Sequence, residues 1–333
     1  MVSFKARLSR LFATVAIMAV VGAVSFAAQT AKADVIITTG ADKKVKIWDP
    51  KTAKEIKSID AHDSEITAVA ASIDGKLLAT GGADKKVKVW KVENGELVKE
   101  IAAHDGAVTA LSFSQDAKML ASGSADKKIK LWTLPDGKLD STIEACSDKV
   151  IGVGLLEFNG MMIILAGSAD GTLPILGKDG NALVQFNSEH KGGLTAMGGN
   201  IKEQCVYSGG ADGVLKFWGQ MGNGEFEGGK HGGAITGMIA TAELTKVITG
   251  GLDGKIMIWN ASDHKRLAEV DTGIKGGVTA VGATPDGKRI FTGGDKIVKV
   301  WDETGKEVHS AEAHAGKVTG IIYIADKKEE KKP

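Results

Sequence analysis

A histidine, a hydroxyl residue and an aspartate follow one another at a spacing that could support catalysis. In the clearest case, His62 is followed by Thr80 and Asp84. An imidazole that takes a proton from a hydroxyl, with a carboxylate holding the ring in place, is the arrangement that activates a nucleophile in hydrolases. Acyl-transfer chemistry is therefore the first function to consider.

The same set occurs at four further places, and this repetition argues against catalysis. The further sets are His104, Ser122 and Asp126; His190, Ser208 and Asp212; His231, Thr249 and Asp253; and, across the chain ends, His314, Thr38 and Asp42. Five active sites in one small protein are implausible, whereas a buried network that satisfies its own polar groups stabilises a fold without any substrate. The repetition favours a structural network over a triad or a His/Asp metal site.

Each set lies beside one copy of a short phrase: a small residue or glycine pair, an aspartate, a turn and an apolar run that usually ends in tryptophan. The copies end at Trp48, Trp90, Trp132, Leu176, Trp218, Trp259 and Trp301. A period of about 40–45 residues with several short strands per unit is typical of propeller blades. Such a unit cannot bury its own faces alone, so the seven copies are expected to pack in a ring.

Each unit is expected to contain four strands, and the unit at 62–101 shows them most clearly. Alternating polar and apolar residues and turns such as Asn94-Gly95 delimit these strands. They lie at 66–70, 76–80, 87–90 and 96–101. The repeat starts on a second strand and ends on a first one, which predicts pairing of strands in 35–59 with strand 318–324. The sequence thus predicts an all-β, seven-bladed β-propeller of four-stranded blades, closed by both chain ends.

Over residues 34–325 the chain resembles the WD-repeat (WD40) β-propeller family, although literal Trp-Asp occurs only at Trp48-Asp49 and Trp301-Asp302. The resemblance implies that the tryptophan of each third strand joins the histidine, hydroxyl and aspartate in a buried hydrogen-bond network. The tryptophans concerned are Trp48, Trp90, Trp132, Trp218 and Trp259. It also implies that proteins or peptides bind on the loops at the His/Asp rim.

The third complete unit, from Cys146 to Phe186, breaks the pattern. Cysteine, alanine and leucine replace histidine, hydroxyl and tryptophan at Cys146, Ala166 and Leu176. Only Asp170 is kept, and Pro174 interrupts the third strand, where proline removes a ladder hydrogen bond. Drift compensated by apolar packing is one explanation; a blade remodelled for a partner, with its outer strand at 181–186 loosened and open to strand addition, is the other.

The first 33 residues have the pattern of an export signal. Basic residues precede an apolar stretch from 11 to 28, and Ala31-Lys32-Ala33 has the form of a cleavage site. We expect a signal peptide over 1–33, a periplasmic or otherwise exported propeller over 34–325 and a charged, disordered tail over 326–333. An uncleaved anchor helix, which would hold the protein at the membrane, is the alternative.

Composition excludes some functions. The chain is 43% hydrophobic and 25% charged, as soluble globular proteins are, and its formal net charge is +1. Loss of the leader would remove four basic and no acidic residues, leaving no basic excess for nucleic acid. The two cysteines, Cys146 and Cys205, are expected at distant places in a blade and therefore unpaired.

The rim loops carry the charges that a partner could meet. Turn lysines on three neighbouring blades form an arc: Lys43, Lys44, Lys85, Lys86, Lys127 and Lys128. Loop positions at the channel mouth add Glu65, Lys149 and Lys317. A solvated rim is the plain interpretation, and docking of an acidic partner is the functional one. The threonines that follow the mouth positions are interpreted as strand formers rather than as a pore lining, and His264 as a surface residue.

The leading functional hypothesis is a monomeric, non-catalytic protein-interaction scaffold in the periplasm or cell envelope, with no cofactor. Nearly uniform repeat spacing leaves no room for long catalytic loops. The alternative is a propeller enzyme or a cofactor- or metal-binding protein that uses the channel mouth.

Overall fold

The computed structural model describes residues 34–325, except 145, 159–160, 201–204, 220–221, 227 and 242–244. In these residues the chain forms 28 β-strands and no α-helix. The strands make seven antiparallel sheets of four strands each, which confirms the predicted seven-bladed propeller. The expected signal peptide (1–33) and charged tail (326–333) lie outside the described residues and stay predictions.

The blades are numbered from the first complete repeat, and each is built from strands that follow one another along the chain. The chain begins with β1 (Val35–Gly40), β2 (Lys44–Trp48) and β3 (Glu55–Asp60). Blade 1 is β4 (Ile66–Ala71), β5 (Leu77–Gly82), β6 (Lys86–Lys91) and β7 (Leu97–Ala102). Blade 2 is β8 (Val108–Phe113), β9 (Met119–Ser124), β10 (Ile129–Thr133) and β11 (Lys138–Ile143). Blade 3 is β12 (Val150–Phe158), β13 (Met161–Ser168), β14 (Thr172–Gly177) and β15 (Ala182–Asn187).

The remaining blades follow the same order. Blade 4 is β16 (Leu194–Asn200), β17 (Cys205–Gly210), β18 (Leu215–Gly219) and β19 (Gly222–Glu225). Blade 5 is β20 (Ile235–Ala240), β21 (Lys246–Gly251), β22 (Lys255–Asn260) and β23 (Arg266–Asp271). Blade 6 is β24 (Ala280–Ala283), β25 (Arg289–Gly293), β26 (Ile297–Asp302) and β27 (Glu307–Glu312), and the last strand is β28 (Val318–Ile324).

Blade 7 contains strands from both ends of the repeat region. Its order is β28-β1-β2-β3, and β28 pairs antiparallel with β1 so that Ile36 faces Tyr323 and Thr38 faces Ile321. All hydrophobic side chains of β28 are buried. The predicted closure is therefore confirmed. Pairing of this kind leaves no blade without its inner strand.

Neighbouring blades stack closely because a glycine stands at the point of contact. A Cβ atom on Gly81 would lie 2.4 Å from Cγ1 of Val108, on the inner strand of the next blade. Only a residue without a side chain permits that approach. The same contact recurs at the pairs Gly123–Val150, Gly250–Val278 and Gly293–Val318.

Candidate functional site

The first candidate triad forms a closed hydrogen-bond chain inside blade 1. Nδ1 of His62 donates to Asp84 Oδ2 at 2.9 Å, because a carboxylate can only accept. Nε2 of the same ring accepts from the Thr80 hydroxyl at 2.8 Å, and Thr80 Oγ1 accepts from Nε1 of Trp90 at 2.9 Å. Thr80 is fully buried, so its hydroxyl is engaged at both ends and inaccessible to a substrate. We call this four-residue chain the latch.

Four other blades contain the same latch. The members are His104, Ser122, Asp126 and Trp132 in blade 2; His190, Ser208, Asp212 and Trp218 in blade 4; His231, Thr249, Asp253 and Trp259 in blade 5; and His314, Thr38, Asp42 and Trp48 in blade 7. Every hydroxyl among them is fully buried. The structure thus brings all the candidate triad residues together, in a geometry that connects each blade-entry loop to the second and third strands of its blade.

The charge state of the latch follows from its burial. Burial lowers the pKa of His62 and outweighs the hydrogen bond and charge of Asp84, which raise it. Burial alone would raise the pKa of Asp84, but His62 and the amides of Asp63 and Lys86 together lower it. A neutral imidazole therefore faces an ionised carboxylate. The pKa values of His104, His190 and His314, and of their aspartates, shift in the same directions.

Blade 3 fills the space of the latch with apolar groups. Cys146, Ala166 and Leu176 are buried in one hydrophobic cluster, and burial raises the pKa of the Cys146 thiol to about 11. The retained Asp170 accepts hydrogen bonds from the hydroxyls of Ser147 and Thr172 instead of an imidazole. Asp170 therefore still contacts the loop that enters the blade.

The outer strand of blade 3 is not loosened, contrary to the remodelling hypothesis. It pairs with β14 from Thr172 opposite Asn187 to Leu176 opposite Ala182, and Pro174 lies within this pairing, opposite Gln185. The strand pairing that is shortened near Pro174 is that of β14 with its other neighbour, β13. Pairing between β13 and β14 is limited to the stretch from Ile163 to Leu165.

Blade 6 keeps half of the latch. Nε1 of Trp301 donates to Thr292 at 2.9 Å, although the histidine is replaced by the buried Ile274 and Asp295 is exposed. A Cβ atom on Gly294 would lie 2.1 Å from Cγ2 of Ile274, so the isoleucine packs directly on this glycine. The sequence search missed the bond between Trp301 and Thr292 because it required a histidine.

The inner strands surround a central channel with a cavity of about 420 Å³. Its lining includes Glu65, Lys149 and Lys317, where the sequence placed the channel mouth. Among the described residues, no group of three or more His, Cys, Asp or Glu side chains is arranged to hold a metal ion. The described part of the chain also has no helix long and apolar enough to span a membrane.

A ring of threonines lines this channel, so the interpretation of these residues as strand formers alone was wrong. The ring consists of Thr67, Thr109, Thr195, Thr236, Thr279 and Thr319. Thr109 shows their role: its hydroxyl lies 3.2 Å from the Gly123 carbonyl in its own blade and 2.6 Å from the Val150 carbonyl in the next blade. Blade 3 has Ile151 at this position, which provides no such hydroxyl to blade 4.

The six turn lysines fall into two sets with different roles. Lys44, Lys86 and Lys128 each make an ion pair with an outer-strand or loop carboxylate, to Asp60 at 2.5 Å, Glu100 at 2.7 Å and Glu144 at 2.8 Å respectively. Lys43, Lys85 and Lys127 are exposed and make no ion pair with any described residue. Lys43, Lys85 and Lys127 are thus the members of the predicted arc without a carboxylate partner among the described residues, and partner binding by the arc stays a prediction.

A fourth lysine holds the same position in blade 6. The carbonyl of Lys296 accepts the amides of Ala313 and His314, as the carbonyl of Lys43 accepts those of Ala61 and His62. Sequence reasoning missed Lys296 because the turn before it is one residue shorter than in the other blades. We call Lys43, Lys85, Lys127 and Lys296 the rim lysines.

Comparison with known proteins identifies the family. The chain matches a family model described as the IFT122 first beta-propeller over residues 21–296. It is also similar to the crystal structure of the computationally designed Ika8 protein, with 26% sequence identity, a TM-score of 0.65 and coverage of 92% of this chain and 93% of that chain. Among curated proteins, none matches the chain significantly.

Proposed function

Because the chain belongs to the family of the IFT122 first beta-propeller, a WD40-type propeller, we propose that it is an exported, non-catalytic scaffold that docks a protein or peptide partner on its rim loops. β-Propellers of this type are commonly protein-interaction scaffolds and are typically not enzymes. Fold likeness alone does not assign a function, so the proposal also needs support from the residues of the rim.

The observation that carries the proposal is the contrast between the buried, hydrogen-bonded hydroxyls of the latches and the exposed lysines of the rim. Every hydroxyl of a candidate triad is buried and bonded on both sides, so none of these hydroxyls is available as a nucleophile. The rim instead presents exposed, unpaired ammonium groups on short, regular turns. Charged side chains on a rigid frame provide specificity and steer association with an oppositely charged partner.

Site-specific photo-crosslinking tests the docking face. A photoreactive side chain at the exposed rim residue Ala83 or Ala125 should crosslink a discrete partner in living cells. The matched control places the same group at Glu93 or Asp136, which are exposed in hairpin turns at the opposite rim. Crosslinks only from the opposite rim, or equal crosslinks from both, would contradict the proposal.

Export is supported by the leader pattern of residues 1–33 and is tested by cell fractionation. The full chain should be recovered from the cell envelope or periplasm, and a chain without residues 1–33 should stay in the cytoplasm. Cytoplasmic recovery of the full chain would contradict this part of the proposal. Stoichiometric metal or a chromophore in the purified protein would instead favour a cofactor-binding role for the channel mouth.

A further inference from the structure

The four rim lysines have an unusual backbone conformation. Their φ angles are 72° at Lys43, 69° at Lys85, 71° at Lys127 and 62° at Lys296. This left-handed region is unfavourable for residues with a side chain, and glycine is the usual occupant. Blades 3, 4 and 5 do have glycine at the same turn position, as Gly171, Gly213 and Gly254. Four neighbouring blades, 6, 7, 1 and 2, therefore tolerate a strained lysine where three neighbouring blades avoid the strain.

The turn itself does not require the lysine side chain. Its structural duty is performed by the backbone carbonyl, which accepts amides from the following loop at Lys43 and at Gly213 alike. The ammonium groups of Lys43, Lys85 and Lys296 contact no carboxylate among the described residues, and that of Lys127 donates only to the carbonyl of Ser147. Backbone strain that the fold does not need is a pointer to function.

Positive charge is most concentrated on blades 6 and 7. The exposed side chains of Lys275 and Lys317, on the loops that enter these blades, add to the rim lysines there. The exposed carboxylates here are Asp295 in the turn of blade 6, and Asp271 and Glu312 at the ends of the strands that lead into the two entry loops, so lysines still outnumber them. This part of the rim is therefore complementary to a negatively charged ligand.

On blades 1 and 2, acidic entry loops alternate with basic turns along the rim. Asp63, Glu65 and Asp105 lie in the loops beside Lys85 and Lys127. A continuous phosphate backbone would meet repulsion at each of these carboxylates. The one Phe, Tyr or Trp of the described rim loops, Phe226, is buried and offers bases no surface on which to stack. A peptide with spaced carboxylates fits this alternation better than a nucleic acid does.

We propose that the rim lysines Lys43, Lys85, Lys127 and Lys296 bind an extended acidic peptide segment of the partner protein, running across blades 6, 7, 1 and 2. This inference rests on the proposed docking function and specifies the chemistry of the partner. The paired lysines one position further along the turns hold the outer strands in place and do not take part.

Substitution to glycine separates binding from folding at these positions. The variant Lys43→Gly, Lys85→Gly, Lys127→Gly and Lys296→Gly gives four blades the residue that blades 3–5 already have, so its Tm should be unchanged or higher. Its affinity for a fluorescent peptide of about twenty residues with alternating Glu and Gly should fall at least about tenfold, as measured by anisotropy. The affinity of the unsubstituted protein should decrease with salt.

The matched control removes four paired charges from equivalent turns. Lys44→Gln, Lys86→Gln, Lys128→Gln and Lys255→Gln changes the net charge by the same amount, since Lys255 is paired with Glu269. This control should keep the peptide affinity within about threefold. An equal loss of peptide affinity in both variants would show that only net charge matters and would overturn the proposal. A lower Tm of the glycine variant would also overturn it, because the rim lysines would then have a structural role.

A second probe distinguishes acidic peptide from other polyanions. Single-stranded DNA of the same total charge should bind more weakly than the peptide, and equal or tighter binding of DNA would overturn the choice of a peptide. Absence of peptide binding would also overturn it. In that case, crosslinking from Ala83 or Ala125 would still show whether a partner of different chemistry docks on the rim, so the two proposals fail independently.

Discussion

Blades 1 and 3 solve the same packing problem in opposite ways. Blade 1 fills the space between its entry loop and its two middle strands with the latch of His62, Thr80, Asp84 and Trp90. Blade 3 fills it with an apolar cluster that includes Cys146, Ala166 and Leu176. Both sheets keep four paired strands. A complete latch is thus not required for a blade to form, provided that the polar members that remain find other partners.

The reason is the asymmetry of buried hydrogen bonds. A satisfied bond contributes modestly to stability, whereas an orphaned buried donor or acceptor costs considerably more. Replacing histidine, hydroxyl and tryptophan as a set removes the donors and acceptors of the latch itself together, and the retained Asp170 finds new donors in Ser147 and Thr172. This favours compensated drift over remodelling as the origin of blade 3.

The largest effect is expected from breaking one latch in part. His62→Ala leaves the Thr80 hydroxyl and the Asp84 carboxylate without their partner and opens a cavity, and should cost about 3 kcal/mol. Cys146→Ala, at the equivalent place in blade 3, removes only one apolar atom and should cost about 1 kcal/mol. Urea unfolding of both variants measures the difference. Equal losses would show that the two blades do not differ in the way the structure indicates.

The next effect comes from placing a single polar group in the apolar blade. Ala166→Thr buries a hydroxyl with no partner at a fully buried position and should cost about 2 kcal/mol. Combining it with Cys146→His and Leu176→Trp supplies the missing donor and acceptor and should recover most of the loss. A triple variant less stable than the single one would mean that blade 3 has lost the geometry of the latch as well as its residues.

The sequence predicted the parts of the molecule that depend on the repeat. Strand positions, closure through β28 and the five latches all follow from residues that recur at constant spacing. It also located the broken copy. It could not show that the outer strand of blade 3 stays paired, because that depends on cross-strand contacts between Thr172 and Asn187 and along the rest of the strand.

Features that depend on tertiary contacts were missed. The sequence gives no reason why Lys44 pairs with Asp60 while Lys43 stays unpaired, since the distinction arises from the left-handed turn and the adjacent outer strand. His264 was interpreted as a surface residue, yet it is half-buried and stacks on Phe217 of the neighbouring blade, with ring centroids 3.7 Å apart. The contact between His264 and Phe217 joins residues that do not recur in the repeat, so the sequence pattern carries no sign of it.

A smaller effect is expected at the channel wall. Thr109→Val keeps the side-chain shape but removes the hydroxyl that bridges blades 2 and 3, and should cost about 1 kcal/mol. At the junction of blades 3 and 4, Ile151→Thr should be more stable than the isosteric control Ile151→Val, by up to about 1 kcal/mol, because its hydroxyl would reach the Leu194 carbonyl. Equal stability of these two variants would show that the threonine hydroxyls do not stabilise the packing of neighbouring blades.

The smallest expected effect is a pH dependence of stability that arises from the latches of blades 1, 2, 4 and 7. The lowered pKa values of His62, His104, His190 and His314 mean that the unfolded chain binds more protons as the pH falls below the ordinary histidine value of 6.5. Stability should therefore decrease from pH 7 to pH 5, and decrease further in more acidic solution as the lowered pKa values of the latch aspartates add their contribution.

Replacing the latch residues of blade 1 by the residues that blade 3 has at the same positions tests this pH dependence. The variant His62→Cys, Thr80→Ala and Trp90→Leu removes one titrating histidine and leaves a thiol that, as in blade 3, stays protonated throughout this range. Thermal unfolding should then show a shallower loss of Tm between pH 7 and pH 5 than in the unsubstituted protein. The control, Cys146→Ala, should leave the slope unchanged. An unchanged slope in the triple variant would place the source of acid sensitivity outside the latch of blade 1.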